Sequence, residues 1–183
     1  MNNKEYLKWI MPSIKNRSLL VSDFRYKKAE EQAEMKKVEP TDIIDFVNEF
    51  LCKVGMKTTK DLGFSPRIEL TGKGKRQINY AEICKYTGIN DKRDIVWIKF
   101  TTDNYISVIG TSCDISFSEW AKKNTTSGLI NQHLNKEWDE NFVLIFPLKQ
   151  IPDNLNRSDI ESGIGNYLIY KGVPILDFYS HNY

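Results

Sequence analysis

The sequence of residues 94–110 is Asp-Ile-Val-Trp-Ile-Lys-Phe-Thr-Thr-Asp-Asn-Tyr-Ile-Ser-Val-Ile-Gly, and this stretch decides the expected fold. Two runs rich in β-branched and aromatic residues, 94–100 and 105–110, flank four polar residues that are typical of turns. This pattern predicts an antiparallel β-hairpin. The apolar run 141–147, which ends at a proline, is expected to be a buried strand of the same sheet.

Helical patterns surround the predicted strands. The clearest is residues 41–54, where a broad apolar stripe begins after Pro40 and ends before Gly55. Further helices are predicted at 22–38, 78–88, from 116 or 118 to about 122, 129–138 and 158–170, and a final strand at 173–181. These elements predict an α+β fold, with a small central, mainly antiparallel sheet flanked by helices and an N-terminal helical segment.

The chain has 183 residues, which suits one compact unit. Composition divides it into an N-terminal helical segment (1–56), a basic connecting segment (57–93) and an α+β core (94–183). Hydrophobic residues make up 40% of the sequence, enough for a packed core and against wholesale disorder.

Several classes of protein are disfavoured by the sequence. No apolar run approaches the roughly 18 residues that a membrane span needs, and the first residues lack the apolar core of a secretory signal. Cys52, Cys84 and Cys113 are scattered without a C-x-x-C pair, which is typical of reduced thiols. We therefore expect a cytoplasmic protein without a membrane partner.

Charge is unevenly distributed along the chain. Segment 57–93 has nine basic and four acidic residues, whereas 94–183 has seven basic and eleven acidic residues. Within the basic segment, Thr71-Gly-Lys-Gly-Lys-Arg76 combines glycines, which allow close backbone approach, with three cations. This pattern favours binding to a phosphate backbone, although an exposed linker has the same composition. The candidate nucleic-acid-binding residues are Lys73, Lys75, Arg76, Lys92 and Arg93.

Two short motifs lie on the predicted hairpin. Ile95-Val96-Trp97 lies on its first strand and Val108-Ile109-Gly110 on its second, and Glu161 follows fifty-one positions after Gly110 on a predicted helix. This layout resembles the GIY-YIG nuclease family, in which two strands carry Gly-Ile-Tyr and Tyr-Ile-Gly and a later helix carries a metal-binding glutamate. Here Trp97 and Val108 replace the two family tyrosines.

The resemblance implies a metal-dependent DNA endonuclease of restriction, mobile-element or phage type, with Mg²⁺ or Mn²⁺ as cofactor and Glu161 as the metal ligand. Phosphodiester hydrolysis also needs a base for the attacking water and a cation for the developing charge. Because the family tyrosines and arginine have no counterparts here, Tyr105 is the candidate base and Lys122 the candidate cation.

Two other interpretations remain open at this point. The same scaffold could be a non-catalytic module that binds nucleic acid or another protein, for instance as an inhibitor with an anti-defence role. Alternatively, residues 78–89 resemble the first helix and turn of a helix-turn-helix regulator, with 90–96 as its recognition helix. That helix competes with the strand predicted from the β-branched and aromatic residues of 95–98.

Glu161 itself has an alternative role. Ser158-Asp-Ile-Glu161 has the spacing of a capping box, which would explain the glutamate without any metal. Asp177, Tyr179 and His181 alternate along the final predicted strand and, together with Glu161, could form a mixed carboxylate–imidazole metal site. A solvated strand face near a chain end has the same pattern.

Overall fold

A computed structural model describes residues 23–70, 78–112 and 115–178. The helices across these ranges are α1 Asp23–Ala33, α2 Pro40–Lys53, α3 Tyr80–Thr87, α4 Glu119–Asn124, α5 Thr126–His133 and α6 Arg157–Tyr170. The strands are β1 Arg67–Glu69, β2 Ile95–Phe100, β3 Ile106–Thr111 and β4 Phe142–Pro147. The predicted α+β class is confirmed. None of the helices in the described residues is long and apolar enough to cross a membrane.

The four strands form one antiparallel sheet in the order β1-β4-β2-β3. The predicted hairpin is confirmed, and so is its pairing with the strand predicted at 141–147. Trp97 lies opposite Gly110 on β3 and opposite Ile145 on β4. The predicted recognition helix at 90–96 is wrong, because β2 pairs with strands on both sides and its buried Ile95 and Val96 belong to the core.

Helices cover both faces of the sheet. On one face α2 and α6 pack together, and Phe50 and Ile164 meet Ile98 in the main core. On the other face α3 packs against β4, with Ile83 buried beside Ile145. The sheet therefore lies between two layers of helices, with one core against α2 and α6 and a second core against α3, and this agrees with the predicted sheet flanked by helices.

The helices α4 and α5 are joined by a single residue. Thr125 is the C-cap of α4, and its hydroxyl accepts the backbone N–H of Gly128 as the N-cap of α5. Gly128 allows the close packing, because a Cβ there would lie 2.4 Å from the Ala121 carbonyl oxygen. The helix predicted at 129–138 begins and ends earlier, and Asn135, just beyond it, has a φ of 53°.

Two details of the C-terminal part differ from the sequence prediction. The cap of α6 is Asn156, which accepts the N–H of Asp159 while the Asp159 carboxylate accepts the N–H of Asn156. The capping box predicted for Ser158 and Glu161 is therefore wrong. The final strand predicted at 173–181 is also wrong over its described part, where only a single bridge joins Ile175 to β3. Tyr179 and His181 lie outside the described residues.

Candidate functional site

Glu161 is a residue of α6, and its side chain lies beside Thr111, the last residue of β3. The backbone N–H and the hydroxyl of Thr111 donate to Glu161 Oε2 at 2.9 and 2.6 Å. Burial raises the pKa of the Glu161 carboxyl, and the two bonds from Thr111 act in the opposite direction. The side chain thus ties α6 to the last residue of β3.

The neighbourhood of Glu161 does not fit the divalent metal that the GIY-YIG resemblance implies. Mg²⁺ is bound through carboxylates that leave room for several waters, whereas the Glu161 carboxylate is largely buried and its Oε2 already accepts two bonds from Thr111. Asp177 is placed beside Ser107, four residues away along β3. In the parts of the chain that the structure describes, no group of three or more His, Cys, Asp or Glu side chains is arranged to hold a metal ion.

Tyr105 and Lys122 lie at the opposite end of the sheet from Glu161. Tyr105 is six residues from Thr111, or about 20 Å along an extended strand. Its hydroxyl donates to the Ala33 carbonyl at 2.7 Å and so helps to hold the end of α1. The three predicted catalytic residues are therefore not brought together.

The predicted nucleic-acid-binding residues are only partly described. Lys92 and Arg93 lie in the exposed turn before β2, and Arg93 Nη2 is 2.7 Å from Asp91 Oδ2. Arg93 and, more weakly, Arg157 hold the pKa of the Asp91 carboxyl well below its usual range. Lys73, Lys75 and Arg76 lie outside the described residues. A continuous basic surface through both groups stays a prediction.

One concave feature of the described ranges is a cavity of about 840 Å³, here called the polar cleft. The α4–α5 pair forms one side of it. The other side is formed by the β2–β3 turn and by residues 135–140, which lead into β4. Its lining is Thr102, Asp103, Glu119, Lys122, Lys123, Gly128, Asn131, Gln132, Asn135, Lys136, Glu137, Trp138 and Glu140. The volume lies within the roughly 300–1,000 Å³ typical of ligand sites.

Most charges of the polar cleft are already paired with each other. Lys122 Nζ is 2.9 Å from Glu119 Oε1 and 2.7 Å from Glu140 Oε1, and these contacts raise its pKa. Lys136 Nζ is 2.5 Å from Asp103 Oδ2. The lining has three lysines and four carboxylates in all. A phosphate backbone would meet a slightly negative surface here.

One wall of the polar cleft is polar even where it is buried. Asn131 is buried, and its Oδ1 accepts the hydroxyl of Ser107, which in turn accepts the indole N–H of Trp138. The Nδ2 of Asn131 has no hydrogen-bond partner among the described residues. This amide N–H could donate a hydrogen bond to a bound molecule after a small movement of the Asn131 side chain.

Lys99 lies directly behind the polar cleft. Its side chain is only 4% exposed, and its Nζ donates to the Ser116 carbonyl at 2.7 Å. The Nζ lies 3.6 Å from the ring centroid of Trp138, 4.7 Å from that of Phe117 and 5.6 Å from that of Trp97. Burial lowers the pKa of the Lys99 amine to about 7, and the attraction of Glu140 acts in the other direction. We call Lys99 and these three rings the aromatic cage.

No protein-family model, curated protein or solved structure matches this chain. The polar cleft and the aromatic cage rest on geometry, and the sequence had not indicated either of them. Their residues come from separate segments that follow no spacing rule. One sequence signal was available: Lys99 alternates with Trp97 on one face of a strand that is otherwise apolar.

Glu161→Gln is expected to leave the fold intact and to stabilise the protein slightly at neutral pH. Because burial raises the pKa of Glu161 in the folded state, stability falls as pH rises from the ordinary value of 4.5 through the folded pKa. Glutamine lacks this dependence, and its amide oxygen can still accept the Thr111 bonds. Urea unfolding should show a gain in stability near pH 7 that disappears below about pH 4. A clear loss of stability at neutral pH would contradict this account.

Proposed function

We propose that the protein is a non-catalytic binding module whose polar cleft, with Trp120 at its rim, binds a protein partner. The observation that carries the proposal is the exposure of Trp120, which is 67% accessible although it lies on a helix that lines the cleft. Trp120 is three residues before Lys123, so the two side chains share a helix face. An exposed tryptophan beside a cleft of the right size is typical of an interface anchor.

The charges of the cleft favour a protein over a nucleic acid. Lys123 and Glu137 are exposed and form no ion pair within the described ranges, whereas the other charged side chains of the lining are neutralised in place. The Lys123 ammonium and the Glu137 carboxylate together complement a partner protein whose surface carries both negative and positive charges. Nucleic acid would be repelled by four carboxylates.

A second candidate is the metal-dependent DNA endonuclease. The order β2-β3-α4-α5-β4-α6 supports it, because it matches the β-β-α-α-β-α-β order predicted from residue 94 onward except for the final strand. The distance of Glu161 from Tyr105 and Lys122 argues against it. If the endonuclease interpretation holds, residues 71–76 remain the candidate phosphate contacts.

Plasmid cleavage decides between the two candidates. Wild-type protein and Glu161→Gln are incubated with supercoiled DNA and Mg²⁺ or Mn²⁺. We expect no cleavage by either protein. Cleavage by the wild type that is lost in Glu161→Gln would overturn the binding-module proposal, and equal cleavage by both would show that Glu161 is not the metal ligand of the activity.

Trp120→Ala is expected to weaken the partner complex by about tenfold to thirtyfold, because truncating an aromatic anchor of an interface typically costs about 1.4–2 kcal/mol. The partner is first identified with a photo-crosslinking phenylalanine analogue at position 120, using position 86 as control. Tyr86 is similarly exposed, at 64%, but lies on α3, away from the cleft lining. The purified partner is then titrated against wild type, Trp120→Ala and Tyr86→Ala. Equal affinities for all three would remove Trp120 from the interface.

A further inference from the structure

Lys99 contacts a residue that lines the polar cleft and the segment that leads into α4. Its Nζ lies against the ring of Trp138, which lines the cleft, and donates to the carbonyl of Ser116, three residues before α4. Among the described residues, no carboxylate lies within ion-pair distance of this ammonium. A single amine therefore connects the Trp138 side of the cleft to the chain before α4.

The contact to Ser116 continues directly into α4. The hydroxyl of Ser116 donates to the Ser118 hydroxyl at 3.0 Å and accepts the Ser118 backbone N–H at 3.3 Å. The Ser118 side chain in turn accepts the N–H of Ala121 as the N-cap of α4. Because α4 carries Lys123 into the lining, a displacement of Ser116 would be transmitted to the cleft.

We propose that the charge state of the Lys99 amine determines how tightly the segment before α4 is held, and thereby regulates the shape of the polar cleft. The inference rests on the proposed function only in that the cleft is taken as the binding site. As an ammonium, Lys99 forms a charge-assisted bond to Ser116 and cation–π contacts to the aromatic cage. As a neutral amine it loses the cation–π attraction and donates more weakly, so the segment before α4 is held less tightly.

The switch operates near neutrality because burial lowers the pKa of Lys99 to about 7. The cage rings of Trp97, Phe117 and Trp138 do not titrate, and residues 115–118 contain no titratable side chain. The charged groups that face the cage from neighbouring elements are Glu140, Glu119 and Lys122, and they are paired with one another. Protonation below about pH 7 is therefore expected to tighten the cleft wall.

Another ionisable side chain lies on the α4–α5 pair and is controlled separately. His133 ends α5, and its Nε2 is 2.8 Å from Glu30 Oε1 on α1. The variant His133→Gln removes this group while leaving Lys99 in place, and it separates the two sources.

The test is an NMR titration of the free protein from about pH 5.5 to about pH 9.5, a window that spans the depressed lysine pKa. Lysine Cε is labelled with ¹³C, and the amides of Ser118, Ala121 and Gly128 report on the α4–α5 pair. We expect one Cε signal with a midpoint near pH 7, absent in Lys99→Met, and the three amides should follow with the same midpoint. His133→Gln and Lys92→Met, which removes an exposed lysine, should leave that midpoint unchanged.

Three results would overturn the proposal. The first is a Cε midpoint for Lys99 near the ordinary lysine pKa. The second is a Lys99 midpoint near pH 7 that the α4 amides do not follow. The third is an amide transition that disappears in His133→Gln. If Lys99→Met fails to fold, the midpoints of the wild-type Cε and amide signals still decide the question. No partner is present in the titration, so its outcome is independent of whether the cleft binds a protein.

Discussion

Lys99→Met is expected to stabilise the protein by about 2 kcal/mol at pH 7, because a buried ammonium without a carboxylate contact is replaced by an apolar side chain of similar length. The loss of the bond to the Ser116 carbonyl and of the cation–π contacts limits the gain. The variant should also change how stability depends on pH, which is the more diagnostic result.

The sign of the pH dependence follows from the depressed pKa of Lys99. The pKa of Lys99 is about 7 in the folded protein and 10.5 in the unfolded chain. At pH values between these two, the unfolded state binds more protons than the folded state. Wild-type stability should therefore rise with pH in this window, and the Lys99 contribution should amount to about 3 kcal/mol between pH 7 and pH 9.5. Lys99→Met has no such contribution, so its advantage of about 2 kcal/mol at pH 7 should reverse to a disadvantage of about 1 kcal/mol at pH 9.5.

Urea unfolding at several pH values, followed by tryptophan fluorescence, measures both effects. Lys92→Met is the matched control, because it makes the same chemical change at an exposed position of the turn before β2. Its free energy of unfolding should track the wild type at every pH. Parallel curves for Lys99→Met and the wild type would mean that Lys99 is not desolvated in solution.

The hairpin illustrates what the sequence was able to predict. Residues 94–110 have local β propensity, turn chemistry and a strand-terminal glycine, and all three point to the structure that forms. Gly110 has a tertiary reason as well, since a Cβ there would lie 2.5 Å from Trp97 Cζ2. The strands β2, β3 and β4, most helix positions and the burial of the sheet under helices could thus be inferred from periodicity and turn residues.

The candidate site could not be predicted in the same way. Glu161 matched a capping-box spacing, but Asn156 and Asp159, two residues earlier, form the box, and Glu161 instead reaches Thr111 on the sheet. The two overlapping capping motifs look alike in the sequence, and only tertiary contacts decide which of them forms. The polar cleft likewise depends on how the α4–α5 pair is placed beside the end of β2.

Gly128→Ala is expected to destabilise the protein by about 2–3 kcal/mol, and to lower the melting temperature by roughly 5–10 °C for a domain of this size. A Cβ at this position would lie 2.4 Å from the Ala121 carbonyl oxygen and 2.5 Å from that of Lys122. Both obstacles are backbone atoms, so they cannot turn aside as a side chain can. The better helix propensity of alanine offsets only about 1 kcal/mol.

The contrast with Gly110→Ala makes the prediction specific. At position 110 the obstacle is the ring of Trp97, so Trp97→Leu should recover part of the loss caused by Gly110→Ala in a double-mutant cycle. No substitution of Ala121 or Lys122 removes a carbonyl oxygen, so Gly128→Ala should have no comparable rescue. Calorimetry of the two series measures this difference. Because Gly128 also lines the polar cleft, Gly128→Ala should shift the Lys123 and Asn131 amides, whereas a variant with wild-type stability and spectra would show that α4 and α5 are not in close contact.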